Sequence, residues 1–278
     1  MVFDAAFLKR LEALRVAVRR VVGGPREGER PGIRRGGSSV FHSHRSYAQG
    51  DDFRAIDWNL YARFESLFVR ERTRDEAPAL HVVLDASPSM EFGTPTKLDL
   101  ARRLGAALGF LVAGEGGDVT LWTGSKSRAF RGPGSVPGLL EAMAAEPGSG
   151  RPADSLARIG GRGLVVVASD FWDEGLDAAM SAAAGAGHPL TLLHLLAREE
   201  MDPAIRGRVR IADSEGGGAV TRFIADEEAA RYRELLEEHV RGWRAWAVKR
   251  EASYVRCASD APFEEVCLIY LRGEGVLE

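Results

Sequence analysis

Hydrophobic positions recur along this chain with two different periods, and the alternation between them lays out its organisation. Over residues 4–22, Phe7, Leu8, Leu11, Leu14, Val18 and Val21 return at three- and four-residue steps with Arg and Lys between them. That spacing predicts an amphipathic helix. From residue 79 onward short apolar runs alternate with helical stripes. ALHVVL (79–84) and LVVVA (164–168) are apolar enough to be strands buried on both faces. DVTLW (118–122) and Leu190–Leu196 continue the strand series, with a shorter strand near Arg128–Arg131. Between them, Thr96–Val112 carries Leu100, Leu104, Leu108 and Leu111 on one stripe, opened by Thr96 with Asp99 three residues on and closed by Gly114.

Further helices are expected over 136–146, 153–159, 175–186, 226–249 and 262–272, and a last strand over 253–257. Helix 226–249 is acidic at its start and basic at its end, as the helix dipole favours. Segments 207–212 and 219–223, separated by SEGGG, predict an edge hairpin. A repeating strand–helix order of this kind predicts an α/β fold: a mostly parallel sheet with helices on both faces. The expected division is an N-terminal helix and extension over 1–76, packed on an α/β domain over 77–278 that carries C-terminal helical and hairpin additions.

Composition narrows the function. The formal net charge of −3 and pI of 6.1 leave no global basic field for nucleic acid. Charge is uneven, with nine Arg/Lys against four acids in the first 36 residues. The basic N-terminal helix therefore has two readings, attachment to a membrane surface or packing on its own domain, and packing is the more common use of such a stripe. Two cysteines, Cys257 and Cys267, fit a reducing compartment, and sequence alone leaves open whether they pair. No apolar run reaches the roughly 20 residues that span a bilayer, and the start lacks a signal-peptide pattern. The expected location is cytoplasmic.

In an open parallel sheet, ligands bind beyond the carboxyl ends of the strands. Asp85 follows ALHVVL directly, and Asp170 follows LVVVA and Ser169. After Asp85 comes Ala86-Ser87-Pro88-Ser89. Side chains 85, 87 and 89 can converge in a turn leaving the strand. With Asp170 they form a set of hard oxygen donors suited to Mg²⁺ or Mn²⁺. A purely local reading also accounts for the five residues, with the serines capping a helix and Asp85 accepting backbone N–H groups.

Asp85-Ala86-Ser87-Pro88-Ser89 resembles the D-x-S-x-S motif of the metal-ion-dependent adhesion site (MIDAS) in von Willebrand A domains. The upstream string Arg45-x-Tyr47-x-x-Gly50-Asp51-Asp52-x-Arg54-x-Ile56-Asp57-Trp58, then Ala62-Arg63 and Val69-Arg70-Glu71, resembles the bacterial domain-of-unknown-function family fifty-eight, as does Ala168-Ser169-Asp170-Phe171. The resemblance implies a von Willebrand A-like (Rossmann-type) fold over about residues 30–200 and the company of MoxR-type AAA+ ATPases. It implies Asp85, Ser87, Ser89 and Asp170 as metal ligands. A complete adhesion site also uses a Thr, and here that position falls near Gly150, with Ser149 before it and Arg151 after it.

The expected function is a non-catalytic protein-binding adaptor that receives an acidic group of an AAA+ ATPase or its client. The alternatives are a metal-dependent phosphate hydrolase using the two aspartates, and a membrane-apposed scaffold. Segment 45–70 reads either as a partner surface or as a belt in which Arg45, Arg54 and Arg63 pair with Asp51, Asp52 and Asp57. Neither a phosphate-binding glycine loop, a zinc spacing nor a nucleophile elbow occurs.

Overall fold

The structure, a computed structural model, describes residues 3–22, 41–46, 68–72, 79–145 and 150–273. The chain divides into two units, Arg34–Ala77 on one side and Met1–Ile33 with Pro78–Glu278 on the other. The N-terminal helix falls in the larger unit, into whose sequence the smaller unit is inserted. In the inserted unit, β1 (Phe41–Ser46) and β2 (Phe68–Arg72) form an antiparallel ribbon with a register irregularity between Phe41 and Ser43. The expected arginine–aspartate belt falls outside the described side chains.

The main unit holds α1 (Ala5–Val22), β3 (Ala79–Leu84), α2 (Lys97–Gly114), β4 (Asp118–Thr123) and β5 (Lys126–Arg131), then α3 (Val136–Ala144), α4 (Pro152–Leu156), β6 (Leu164–Ser169), α5 (Leu176–Gly185) and β7 (Leu190–Leu196). It continues with α6 (Arg198–Met201), β8 (Gly207–Ala212), β9 (Ala219–Ile224), α7 (Asp226–Lys249), β10 (Ser253–Ala258) and α8 (Phe263–Gly273). Six strands form one sheet in the order β10-β7-β6-β3-β4-β5, all parallel except β5, which runs antiparallel to β4. The α/β class read from the strand–helix rhythm holds. Strands β8 and β9 form a separate two-stranded ribbon and do not extend the sheet at an edge.

Alternation along the strands divides the core between the two faces. Leu80, Val82 and Leu84 of β3, with Val166 of β6 and Leu193 and Leu195 of β7, face α1, α2, α3 and α8. Val83, Val165, Val167, Leu190 and Leu192 face the other way, toward Leu156 of α4, Leu176 and Met180 of α5 and Ala247 of α7. Strands buried on both faces are what near-continuous apolar runs require. On α1, Phe7, Leu11 and Leu14 are buried, and the Phe7 ring lies 4.8 Å from that of Phe263. These three positions of its apolar stripe pack toward α8 and α2, which is the packing reading of that helix, while Leu8 of the same stripe stays exposed; the side chains of Val18 and Val21 fall outside the described residues. Cys257 and Cys267 are free buried thiols, and burial pushes the Cys257 thiol up to about 12.

Candidate functional site

The chain leaves β3 on one side of the sheet's midline and returns through β6 on the other, so the switch point of the topology lies between these neighbours. At the switch point of an open sheet the loops diverge and open a crevice beyond the strand ends. Both expected acids sit there. The Asp85 N–H donates to the Ala168 carbonyl at 3.0 Å, which extends the β3–β6 ladder by one bond. Asp85 and Asp170 are 1% and 2% exposed.

The two carboxylates have different partners. Asp85 Oδ2 accepts from Ser169 Oγ at 2.5 Å, and its Oδ1 accepts from Ser87 N–H at 2.9 Å. The second bond is the local turn anticipated for DASPS. Ser87 stands at the N-cap position of a short 3₁₀ turn, Pro88–Glu91, but its side chain makes no cap bond; Ser87 Oγ lies 3.0 Å from Ser89 Oγ instead. Both hydroxyls are half-buried and reach the surface. Ser169 is bivalent, since its Oγ also accepts from Phe171 N–H at 2.9 Å. That bond steadies Phe171 at φ 61°, a left-handed backbone that a bulky residue adopts only when its surroundings hold it there. The turn buries Phe171 and presents Trp172 outward, 53% exposed and stacked on His239 at 3.6 Å.

Asp170 is held by a residue that sequence reasoning did not single out. Lys97, the first residue of α2, is 0% exposed, and its ammonium donates to Asp170 Oδ2 at 2.8 Å and to Glu200 Oε1 at 2.6 Å. Glu200 also accepts from the Ala197 N–H at 2.7 Å, fixing the start of α6. A lysine in the first turn of a helix opposes the helix dipole, and that oddity was the available signal. Its partners lie 73 and 103 residues away. The nearby His194 is held down to about 3, first by burial and then by neighbouring charges. It is therefore neutral, and Lys97 is the buried cation of this cluster.

The remaining expected elements are placed as follows. Gly150 lies against the β4–β5 turn so closely that a Cβ there would sit 2.3 Å from Gly124 Cα. No threonine can occupy that position without moving backbone. Ser149 lies outside the described residues. Arg151 is exposed and pairs with Asp173, donating also to the Glu174 carbonyl. From the tip of the β8–β9 ribbon, Glu215 Oε1 accepts from the Ser89 N–H at 3.1 Å. Gly216 and Gly218, at φ 94° and 99°, make the left-handed turns that bring the tip round.

These residues fit a divalent ion poorly. An ion bound to Asp170 at about 2.1 Å would stand no further than about 7 Å from the Lys97 ammonium, a repulsion on the order of 5 kcal/mol at an effective dielectric of about 20. A weak oxygen-ligand site with a Kd near 1 mM supplies only about 4 kcal/mol. Lys97 therefore opposes an ion on Asp170 by about as much as a weak oxygen-ligand site supplies.

Burial raises the Asp85 carboxyl above the ordinary carboxylate range; the charge of Asp170 adds to this, and the bonds from Ser169 and Ser87 oppose it. A folded value above the unfolded one gives stability that is complete below the unfolded pKa and is lost as pH rises through the folded one. Wild type should therefore lose stability relative to Asp85→Asn as pH rises from the ordinary carboxylate value, about 4, toward neutrality. Urea midpoints across that range check this. A constant difference would mean that Asp85 does not titrate there.

Fold and site together define an open, mostly parallel α/β protein with a polar strand-end site at its switch point. The chain belongs to the family described as Protein of unknown function DUF58, whose model matches residues 43–242. It is 34% identical over 115 residues to an uncharacterized protein of Mycobacterium tuberculosis and to one of Mycobacterium bovis, a match covering 41% of this chain. The matched part spans only 36% of those relatives' length. Among solved structures it is similar to the conserved hypothetical protein BatB from Bacteroides thetaiotaomicron (14% identity, TM-score 0.42) and to an aerotolerance-related membrane protein from Bacteroides fragilis (12%, TM-score 0.41). Each comparison covers 71% of this chain and 98% of the other. No described helix is long and apolar enough to cross a membrane.

Proposed function

We propose that this protein is a non-catalytic protein-binding adaptor of von Willebrand A type with a degenerate metal-ion-dependent adhesion site. The observation that carries the reading is the juxtaposed Ser87 and Ser89 hydroxyls beside buried Asp85, at the switch point of the sheet. Two exposed aromatics follow residues of the site in sequence, Phe92 three residues after Ser89 and Trp172 two after Asp170, at 49% and 53% exposure. Aromatic anchors beside polar groups are the usual makings of a protein-docking surface. Glu215 already seats a carboxylate on the Ser89 N–H, so an acidic group of a partner would take the same place. The resemblance to a MoxR-associated family makes a MoxR-type AAA+ ATPase or its client the partner to test. Both buried thiols suit a cytoplasmic setting.

Against hydrolysis, Asp85 is occupied by Ser169 and Ser87, Asp170 by Lys97, and the Ser87 hydroxyl faces another hydroxyl where a general base would be needed.

The test is capture of a MoxR-type AAA+ ATPase by wild type and by a Ser87→Ala, Ser89→Ala variant. The variant should capture at least tenfold less while its unfolding midpoint stays near wild type, since both side chains reach the surface. Equal capture by the two sinks the site. Glu215→Ala, which removes the internal carboxylate, should raise capture several-fold. Reduced capture by that variant would mean that Glu215 belongs to the docking surface and does not compete with it.

A further inference from the structure

We propose that Lys97 is the resident cation of the strand-end site, neutralising the carboxylate of Asp170 that an adhesion site of this type would offer to a divalent ion, so that docking there needs no metal. The docking half of this statement rests on the adaptor reading above; the assignment of Lys97 does not.

Three observations carry it. Lys97 is fully buried, and its ammonium reaches Asp170, the strand-end acid of β6 that would be the second carboxylate ligand. Its other partner is Glu200, on an element outside the D-x-S-x-S loop, so the ammonium ties the switch point to α6 much as a metal ion ties loops together. At Gly150, beside which the threonine of a complete adhesion site is expected, backbone leaves no room for a side chain against Gly124. The crowded Gly150 and the buried Lys97 are separate features of this chain, and each weighs against an ion at the strand ends. A lysine here is also part of the chain itself, where a bound ion would come and go with its concentration.

The test uses the full chain without partner and Mn²⁺ as the probe. Free Mn²⁺ is measured by electron paramagnetic resonance during titration into wild type, Lys97→Arg and Lys97→Ala. Wild type and Lys97→Arg should show no saturable binding. Lys97→Ala, left with uncompensated carboxylates, should bind Mn²⁺ at least tenfold more tightly and gain thermal stability from it. Should Lys97→Ala fail to fold, the wild-type titration decides alone. Stoichiometric Mn²⁺ binding by wild type that disappears in the Ser87→Ala, Ser89→Ala variant overturns the assignment.

Partner capture in EDTA and in Mg²⁺ then tests the docking half. Equal capture in both supports it, and capture abolished by EDTA overturns it. No capture in either sinks the adaptor reading, while the Mn²⁺ titration still judges Lys97.

Discussion

Lys97→Met is expected to lower the unfolding free energy by about 3–5 kcal/mol, the usual result of removing one partner from a buried ion pair. Methionine keeps the unbranched stem, so little packing is lost. What remains is Asp170, buried with one oxygen bonded only to the Trp172 N–H at 3.4 Å, and Glu200 with one oxygen freed. For a chain of this size the midpoint should fall by on the order of 10 °C. Adding Asp170→Asn should recover part of the loss, because the stranded charge goes with it. Denaturant titrations of the four proteins of the cycle measure this. A Lys97→Met protein with the wild-type midpoint would show that the ammonium compensates nothing.

Gly150→Thr, which would restore the residue expected of a complete adhesion site, is expected to destabilise the chain toward the upper end of the roughly 1–3 kcal/mol range for overpacking. The new Cβ would meet Gly124 Cα at 2.3 Å and Gly124 N at 2.7 Å, and backbone yields less readily than a side chain. Ser155 Oγ donates to the Gly124 carbonyl at 2.7 Å, so displacing that turn also strains a buried bond. Thermal unfolding with and without Mn²⁺ checks both expectations, destabilisation and no rescue by the ion. A Gly150→Thr protein as stable as wild type, with a midpoint raised by Mn²⁺, would reverse the account of the site.

The sheet was legible because strands buried on both faces leave little freedom in composition. ALHVVL is β3 as read, and LVVVA is β6 with Ser169 added. Helix α2 begins one residue after its expected start, with Thr96 accepting from the Asp99 N–H at 3.0 Å as its cap. The position of Asp85 and Asp170 followed from strand ends alone. Their chemistry did not, because hydrogen-bond and ion-pair partners depend on folding distant segments together. Lys97 could be seen as out of place in a first helical turn, but nothing local points to Asp170 or Glu200. The same holds for Glu215, which reads as an ordinary turn residue until the ribbon of β8 and β9 brings it to Ser89.

The seat of α1 has a consequence for biosynthesis. Phe7 packs against Phe263 with tilted rings, and Arg10 pairs with Glu264, so part of the surface that receives α1 belongs to α8. A chain emerging from the ribosome makes α1 early and must carry its oily stripe without a complete berth until α8 has cleared the exit tunnel. Over that interval α1 is the segment most in need of a chaperone's shelter.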